Sequence, residues 1–92
     1  MPQSQSTLDA MPSISVVLIT RNEAHNIGPA LEQLSGWADE IFVVDSFSDD
    51  ETVDIALSCG AHVVQRPFKG FGDQWNWALE HLPITTEWTM KL

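Results

Sequence analysis

The amino-acid sequence predicts an α/β fold: a three-layer, Rossmann-like sandwich built on a mainly parallel β-sheet. Short apolar runs rich in β-branched residues alternate with segments in which apolar residues recur at helical spacing. The apolar runs are continuous and bounded by polar residues, which is typical of strands covered on both faces. Strands that alternate with helices pair in parallel through right-handed crossovers.

The first strand and helix follow a polar leader at residues 1–13, which we expect to be flexible. "ISVVLIT" (Ile14–Thr20) is the first predicted strand. The next helix is predicted to have Asn26 as its cap and Pro29 in its first turn, where a missing N–H costs nothing. Its core face would hold the apolar residues at helical spacing: Ile27, Leu31, Leu34 and Ala38.

The same alternation then repeats. "EIFVVD" (Glu40–Asp45) is the second predicted strand, and "AHVVQ" (Ala61–Gln65) is the third. The helix between them is expected to be capped by Asp49 or Asp50 and to stop at Gly60. A third helix is predicted from a stripe of five residues: Phe71, Trp75, Ala78, Leu79 and Leu82.

The last apolar run, "TEWTMKL", predicts a fourth strand with Trp88, Met90 and Leu92 on one face. The sequence ends at Leu92, within this strand. We therefore expect residues 14–92 to be the front part of a longer domain, truncated after the fourth strand. An uncovered sheet edge of this kind favours self-association.

The amino-acid composition restricts the molecules that this chain can bind. Four Lys and Arg residues stand against 13 Asp and Glu residues, so the formal net charge is −9. Such a surface repels phosphate backbones and anionic lipid, which argues against nucleic acid and against a membrane surface as binding partners.

The single cysteine, Cys59, allows no internal disulfide and is expected to pack as a small core residue. Without a signal peptide or an apolar run of membrane-spanning length, we expect a cytoplasmic protein, with peripheral attachment to the inner membrane as an option.

Candidate site residues follow from the predicted topology. Ligands of open parallel sheets bind beyond the carboxyl ends of the strands. The residues that we expect there to contact a ligand are Thr20, Arg21, Asn22, Glu23, Asp45, Ser46, Arg66 and Gln74. The sequence lacks the G-x-G-x-x-G pattern after its first strand, which argues against a nicotinamide or flavin enzyme. We assign no catalytic residue and no metal ligand within the chain.

Asp45 leaves two alternatives open. A carboxylate at the end of a buried strand can accept a hydrogen bond from a ligand N–H, or it can satisfy the amides of its own turn. The three histidines lie on different elements without metal-ligand spacing, so we expect surface or capping roles for them. Trp75 and Trp88 fall on predicted core faces. Trp77 falls off the third helix's apolar stripe and could line a ligand cleft or a domain contact.

The motifs "ISVVLITRNEAHNI", "IFVVDSFSDDETVDIA", "GAHVVQRPF" and "DQWNWAL" together resemble the amino-terminal half of family-2 glycosyltransferases. Within that family they look most like the glucosyltransferases of the lipopolysaccharide core. The resemblance covers residues 14–92. It implies a GT-A-type fold and an inverting transfer of a hexose, glucose foremost, from UDP or a similar nucleotide to a glycan or lipid-linked acceptor. It also implies that Thr20 and Glu23 border the base and ribose, and that Asp45 accepts the uracil ring N–H.

Two departures from the family pattern matter. Trp75 stands where many members carry an arginine or lysine near the donor phosphates. Gln74, Lys69 or Arg66 would have to cover that role, or a metal ion would do more of it. The family's Asp-x-Asp motif, which holds Mg²⁺ or Mn²⁺, would begin where this sequence ends. We therefore expect the chain alone to be inactive.

The alternative function is that of a non-enzymatic, receiver-like α/β module that binds a protein partner. The sequence offers such a module neither a fifth strand nor a partnering lysine.

Overall fold

The computed structural model describes residues 12–92 and confirms the predicted fold class. Most of the predicted leader, residues 1–11, lies outside the described residues. The elements in chain order are β1 (Ile14–Thr20), α1 (Ala24–Leu34), β2 (Glu40–Asp45), α2 (Thr52–Ser58), β3 (His62–Gln65), α3 (Phe71–His81) and β4 (Trp88–Lys91).

The four strands form one parallel sheet in the order β3-β2-β1-β4. The chain moves outward from β1 through β2 to β3 and then crosses back to place β4 on the other side of β1. This reversal makes the neighbourhood of β1 the topological switch point, where open α/β sheets form a crevice at their carboxyl edge. The register places Thr20 beside Asp45, and Asp45 beside Gln65, at that edge.

Two apolar clusters cover the two faces of the sheet and complete the three layers. On one face α1 and α2 pack against β1 and β2, with the buried residues Val16, Leu18, Ile27, Leu31, Leu34, Val43, Ala56 and Ala61. On the other face α3 packs against β1 and β2, with the buried residues Val17, Phe42, Val44, Ala78 and Leu82. The predicted core face of α1 is confirmed, since Ile27, Leu31 and Leu34 are buried and Ala38 packs beside them.

The predicted start of α1 is wrong by one turn. The helix begins at Ala24, so Asn26 lies inside it and Pro29 falls in the second turn. Long-range partners extend the helix: the Asp50 carboxylate accepts the Ala24 N–H at 3.2 Å, and the Thr52 hydroxyl accepts the Glu23 N–H at 2.8 Å.

The boundaries of α2 agree better with the sequence. Glu51 holds the cap position, but the Asp50 carboxylate accepts the Thr52 N–H at 3.0 Å. Gly60 adopts a φ of 85°, as expected of the glycine that stops a helix. Cys59 is exposed, contrary to expectation, because it follows the last helical residue and lies beyond the buried face formed by Thr52 and Ala56.

The buried face of α3 is rotated from the predicted stripe. Gln74 and Ala78 are buried, whereas Phe71 and Leu79 are exposed. Trp75 packs against the second cluster as predicted, and Trp77 packs there too, with its ring stacked on His81 at 5.1 Å. Packing therefore accounts for Trp77.

Trp88 is exposed, contrary to its predicted place on a core face. It lies on β4, which is an edge strand, and no described element covers that face of the sheet beyond it.

Candidate functional site

Several hydrogen bonds fasten the loops after β1 and β2 together at the carboxyl edge of the sheet. Besides the two bonds that start α1, the Asn22 N–H donates to the Ser48 hydroxyl, and the Asp49 N–H donates to the Asn22 side-chain oxygen, both at 2.8 Å. Asn22 has a φ of 55°, a left-handed conformation that asparagine tolerates better than most residues. The loop carrying Thr20 to Glu23 is thus held in one position.

Asp45 is fully buried at the end of β2, and its carboxylate accepts four hydrogen bonds. One oxygen accepts the Thr20 hydroxyl at 2.7 Å and the Ser48 hydroxyl at 2.6 Å. The other accepts the Ser48 N–H at 2.8 Å and the Gln65 side-chain amide at 2.9 Å. Since a carboxylate has about four lone-pair positions, these donors fill its capacity.

Of the two alternatives for Asp45, the turn role describes the contacts that the side chain makes in this structure. Burial raises the pKa of Asp45, but the hydrogen bonds from Ser48, Thr20 and Gln65 outweigh it, and the pKa lies below the ordinary value of an aspartate. The contact with a ring N–H stays a prediction. It requires the ligand to replace one of the present donors.

Arg66 and Gln74 form a second network on the other face of the sheet. Gln74 is fully buried; its amide donates to the Ser46 hydroxyl at 3.2 Å, and its oxygen accepts the Arg66 guanidinium at 2.7 Å. The guanidinium also bonds to Asp73 at 2.6 Å and lies over the Trp77 ring. The hydrogen bond from Arg66 holds the pKa of Asp73 below its usual range. These two residues are therefore committed to internal partners, and Lys69 is the exposed cation of the loop.

A cleft of about 330 Å³, which we call the rim cleft, opens between the loop after β1 and the segment that leads into α3. Its walls are Ile19, Thr20, Arg21, Glu23, Ser46, Phe68 and Phe71. Arg21 spans it toward β2, donating to the Ser46 carbonyl at 3.1 Å and pairing loosely with Asp49 at 3.4 Å. Four of the eight predicted site residues thus line one cleft at the topological switch point.

Two other hollows border the sheet. A smaller one of about 180 Å³ lies beside β1, against α1, and shares Thr20 and Glu23 with the rim cleft. A wider one of about 400 Å³ lies at the opposite edge, where Ile14 and Trp88 begin their strands. Ligands of this fold class bind at the carboxyl edge, and the rim cleft, the larger of the two hollows there, is the candidate site.

The family model described as "Glycosyl transferase family 2" matches residues 15–88, which is most of the chain. The chain belongs to glycosyl transferase family 2.

Two curated relatives are consistent with this assignment. The chain is 43% identical over 82 residues to an uncharacterized glycosyltransferase of Rickettsia felis, a match covering 89% of this chain and 28% of the relative. It is also 43% identical over 58 residues to glucosyl-3-phosphoglycerate synthase of Mycolicibacterium smegmatis, a match covering 59% of this chain and 19% of that enzyme. The chain thus spans less than a third of the length of these relatives.

Solved structures show the same GT-A-type fold. Mannosyl-3-phosphoglycerate synthase of Rubrobacter xylanophilus superposes with a TM-score of 0.74 at 26% identity, covering 91% of this chain and 31% of the other. Glucosyl-3-phosphoglycerate synthase of Mycobacterium tuberculosis, in complex with Mn²⁺, UDP and glucosyl-3-phosphoglycerate, gives 0.72 at 27% identity, covering 92% and 35%. The glucosyl-3-phosphoglycerate synthase structure thus holds Mn²⁺ together with UDP.

Between residues 12 and 92, no group of three His, Cys, Asp or Glu side chains lies close enough to hold an ion. Over the same range, no helix is long and apolar enough to cross a membrane.

Sequence reasoning missed three contributors to the site. Phe68 and Phe71 line the rim cleft, although Phe71 was expected in the core. Gln65 holds Asp45, although its exposed position on an edge strand gave no signal of this role. The paired glycines around Phe71 are the one sequence feature that could have indicated an unusual surface there.

Proposed function

We propose that this chain forms the nucleotide-sugar-binding part of a family-2 glycosyltransferase and that the rim cleft receives the nucleoside of a UDP-sugar. The single observation that carries the proposal is the position of that cleft, at the carboxyl edge of β1, beside the switch point. The likeness to synthases crystallised with UDP and Mn²⁺ supports the choice of nucleotide.

The distribution of positive charge supports a phosphate-bearing ligand. The chain has four cationic residues: Arg21, Arg66, Lys69 and Lys91. Arg21 directly follows β1, Arg66 directly follows β3, Lys69 lies in the next loop, and Lys91 is the last residue of β4. Three of the four cations, Arg21, Arg66 and Lys69, therefore lie on the side of the rim cleft, in a chain with net charge −9. Lys91 pairs in register with Val17, in the middle of β1, and lies away from that edge.

The proposed roles of the site residues follow from their positions. Thr20 and Ser46 offer hydroxyl groups to the ligand, while Glu23 lies where it can accept a ribose hydroxyl. Arg21 is half-exposed and loosely paired, so it can turn toward a phosphate. Asn22, Arg66 and Gln74 support the loops, and Asp45 accepts the uracil N–H only after one of its donors has moved.

The transfer itself is proposed for the whole protein. We infer that it moves a hexose, glucose foremost, with inversion, to a glycan or lipopolysaccharide-core acceptor at the cytoplasmic side of the inner membrane. A phosphoglycerate acceptor is the second candidate, favoured by the similarity to glucosyl- and mannosyl-3-phosphoglycerate synthases. Mg²⁺ or Mn²⁺ would be held by groups other than the described residues, and this chain alone would bind without catalysing.

A titration tests the nucleotide proposal. The ¹⁵N-labelled chain is titrated with uridine 5′-monophosphate, which carries base, ribose and one phosphate and needs no metal to bind. We expect amide shifts at Thr20, Glu23 and Ser46, and none at Trp88, which lies near the opposite edge of the sheet. A folded chain whose spectrum stays unchanged at millimolar nucleotide would refute the proposal.

A further inference from the structure

Two exposed aromatic rings form one wall of the rim cleft. The side chains of Phe68 and Phe71 are 47% and 66% exposed. Their ring centroids lie 5.0 Å apart with planes inclined by 73°, an edge-to-face pair. Single exposed aromatic residues are common, but a pair that lines a concave surface beside polar groups is typical of a binding site.

The surrounding residues fix these rings and leave them uncovered. Gly70 has a φ of 119°, a conformation that L side chains rarely adopt, and it turns the chain directly into α3. At Gly72 a Cβ would meet nothing within 4 Å, so packing does not require glycine there. The two residues that flank Phe71 in the chain, Gly70 and Gly72, thus carry no side chain that could cover its ring. Buried Gln74, bonded to Ser46 and Arg66, anchors the first turns of the same helix.

We propose that the Phe68–Phe71 pair stacks against the pyrimidine base of the donor, an inference that rests on the nucleotide function proposed above. Phenyl rings carry no charge and no hydrogen-bonding group, so this wall suits the face of a heteroaromatic ring better than a sugar or a diphosphate. The opposite wall supplies Thr20 and Ser46, which can bond to the polar groups of the nucleoside.

The size of the cleft agrees with this occupant. Its volume of about 330 Å³ lies at the lower end of the range for small-molecule sites, about 300–1,000 Å³. A nucleoside fits this space, with the cations of the rim left for the phosphates. The base would thus lie at the phenylalanine wall.

The test uses the whole 92-residue chain and two probes: uridine 5′-monophosphate and ribose 5-phosphate, which lacks the base. Base–aromatic stacking, measured by alanine substitution, corresponds to about a 5- to 100-fold change in affinity. We expect Phe71→Ala and Phe68→Ala to weaken binding of the nucleotide by this factor and to leave ribose 5-phosphate unchanged. Phe71→Trp retains a ring and should bind the nucleotide as the wild type does.

A spectroscopic readout separates stacking from a structural effect. The uracil H5 and H6 protons should move upfield on binding to the wild type, because they lie over a ring, and this shift should disappear in Phe71→Ala. Phe47→Ala is the matched control, since Phe47 is 55% exposed at the same edge of the sheet but does not line the cleft.

The outcomes distinguish the two proposals. A wild-type chain that binds no uridine 5′-monophosphate would overturn the nucleotide function and the stacking together. A wild-type chain that binds it, with equal affinity in Phe68→Ala and Phe71→Ala, would overturn the stacking alone. An equal loss in Phe47→Ala would also overturn the stacking, because it would assign the effect to general destabilisation.

Discussion

Replacing Asp45 tests how far its buried carboxylate stabilises the fold. Four donors from β1, β3 and the β2–α2 loop converge on this side chain. A hydrogen bond to a charged group contributes about 1.5–3 kcal/mol. The four contributions do not add, because the donors share one carboxylate and its burial opposes them. We therefore expect Asp45→Ala to lower the free energy of unfolding by about 3–4 kcal/mol.

Asp45→Asn should cost much less, for a geometric reason. If the side-chain oxygen of the asparagine points toward the Ser48 N–H and the Gln65 side-chain amide, it accepts a hydrogen bond from each of them. Its NH₂ group then faces the Thr20 and Ser48 hydroxyls, which can rotate to accept. Every bond survives and only the charge is lost, so we expect a cost of about 1–2 kcal/mol.

Urea unfolding followed by tryptophan fluorescence measures both effects. A 92-residue chain has a total stability of about 5–14 kcal/mol, so the alanine variant should be close to unfolded if the fold is marginal. Asp49→Asn is the control, since Asp49 lies in the same loop, is exposed and pairs weakly with Arg21. It should change the stability by less than about 0.5 kcal/mol. An alanine variant within about 1 kcal/mol of wild type, which is roughly the error of the extrapolation, would refute the reasoning.

Three further predictions follow from the same structure. Gly70→Ala should destabilise the fold by about 1–3 kcal/mol, because residue 70 has a positive φ. Gly72→Ala, inside α3, should be neutral or should stabilise the fold by up to about 1 kcal/mol. Thermal unfolding of the two variants and the wild type measures both effects. The pKa values of Asp45 and Asp73 are lowered in the folded state. The stabilisation from these two carboxylates is therefore complete above the unfolded pKa of about 4 and is lost as the pH falls through the folded pKa values. The urea midpoint of unfolding should be constant above about pH 5 and should fall below about pH 4. We expect the chain to self-associate through the exposed edge of β4 and Trp88→Lys to weaken this association, as measured by sedimentation at rising protein concentration. A monomeric wild type, or an association unchanged in Trp88→Lys, would contradict this.

The sequence predicted the elements whose apolar pattern was unambiguous. β1 and β2 were predicted with the bounds that the structure has, because continuous β-branched runs between polar residues have few other interpretations. The face of α1 was correct because Ile27, Leu31 and Leu34 repeat at a single helical period. Such local signals are enough to determine the order of strands and helices, and hence the three layers.

The errors lie where distant residues decide the local structure. α1 begins at Ala24 because Asp50 and Thr52, which lie far along the chain, satisfy the first N–H groups. α3 buries Gln74 because Ser46 and Arg66 satisfy its amide, whereas hydropathy alone favoured Phe71 for the core. Partners of this kind are invisible to a pattern of apolar residues.

The candidate site was predictable in position but not in its contacts. The alternation of strands and helices placed the eight predicted residues at one edge, and the structure brings them to that edge. The sequence could not indicate that Arg66 would bond to Asp73 and Gln74. It therefore could not indicate which cations stay available to a ligand.

The burial of polar groups is itself an argument for function at this edge. Five of the six polar side chains that the structure shows as buried lie there: Thr20, Asp45, Ser46, Thr52 and Gln74. Burying a polar group is costly unless it is fully hydrogen-bonded, and among the described residues no buried side-chain polar atom lacks a partner. Apolar residues would have covered the sheet at lower cost. Because the polar groups are concentrated beside one cleft, the stabilising contacts of this edge also hold the loops in the arrangement that a ligand would meet.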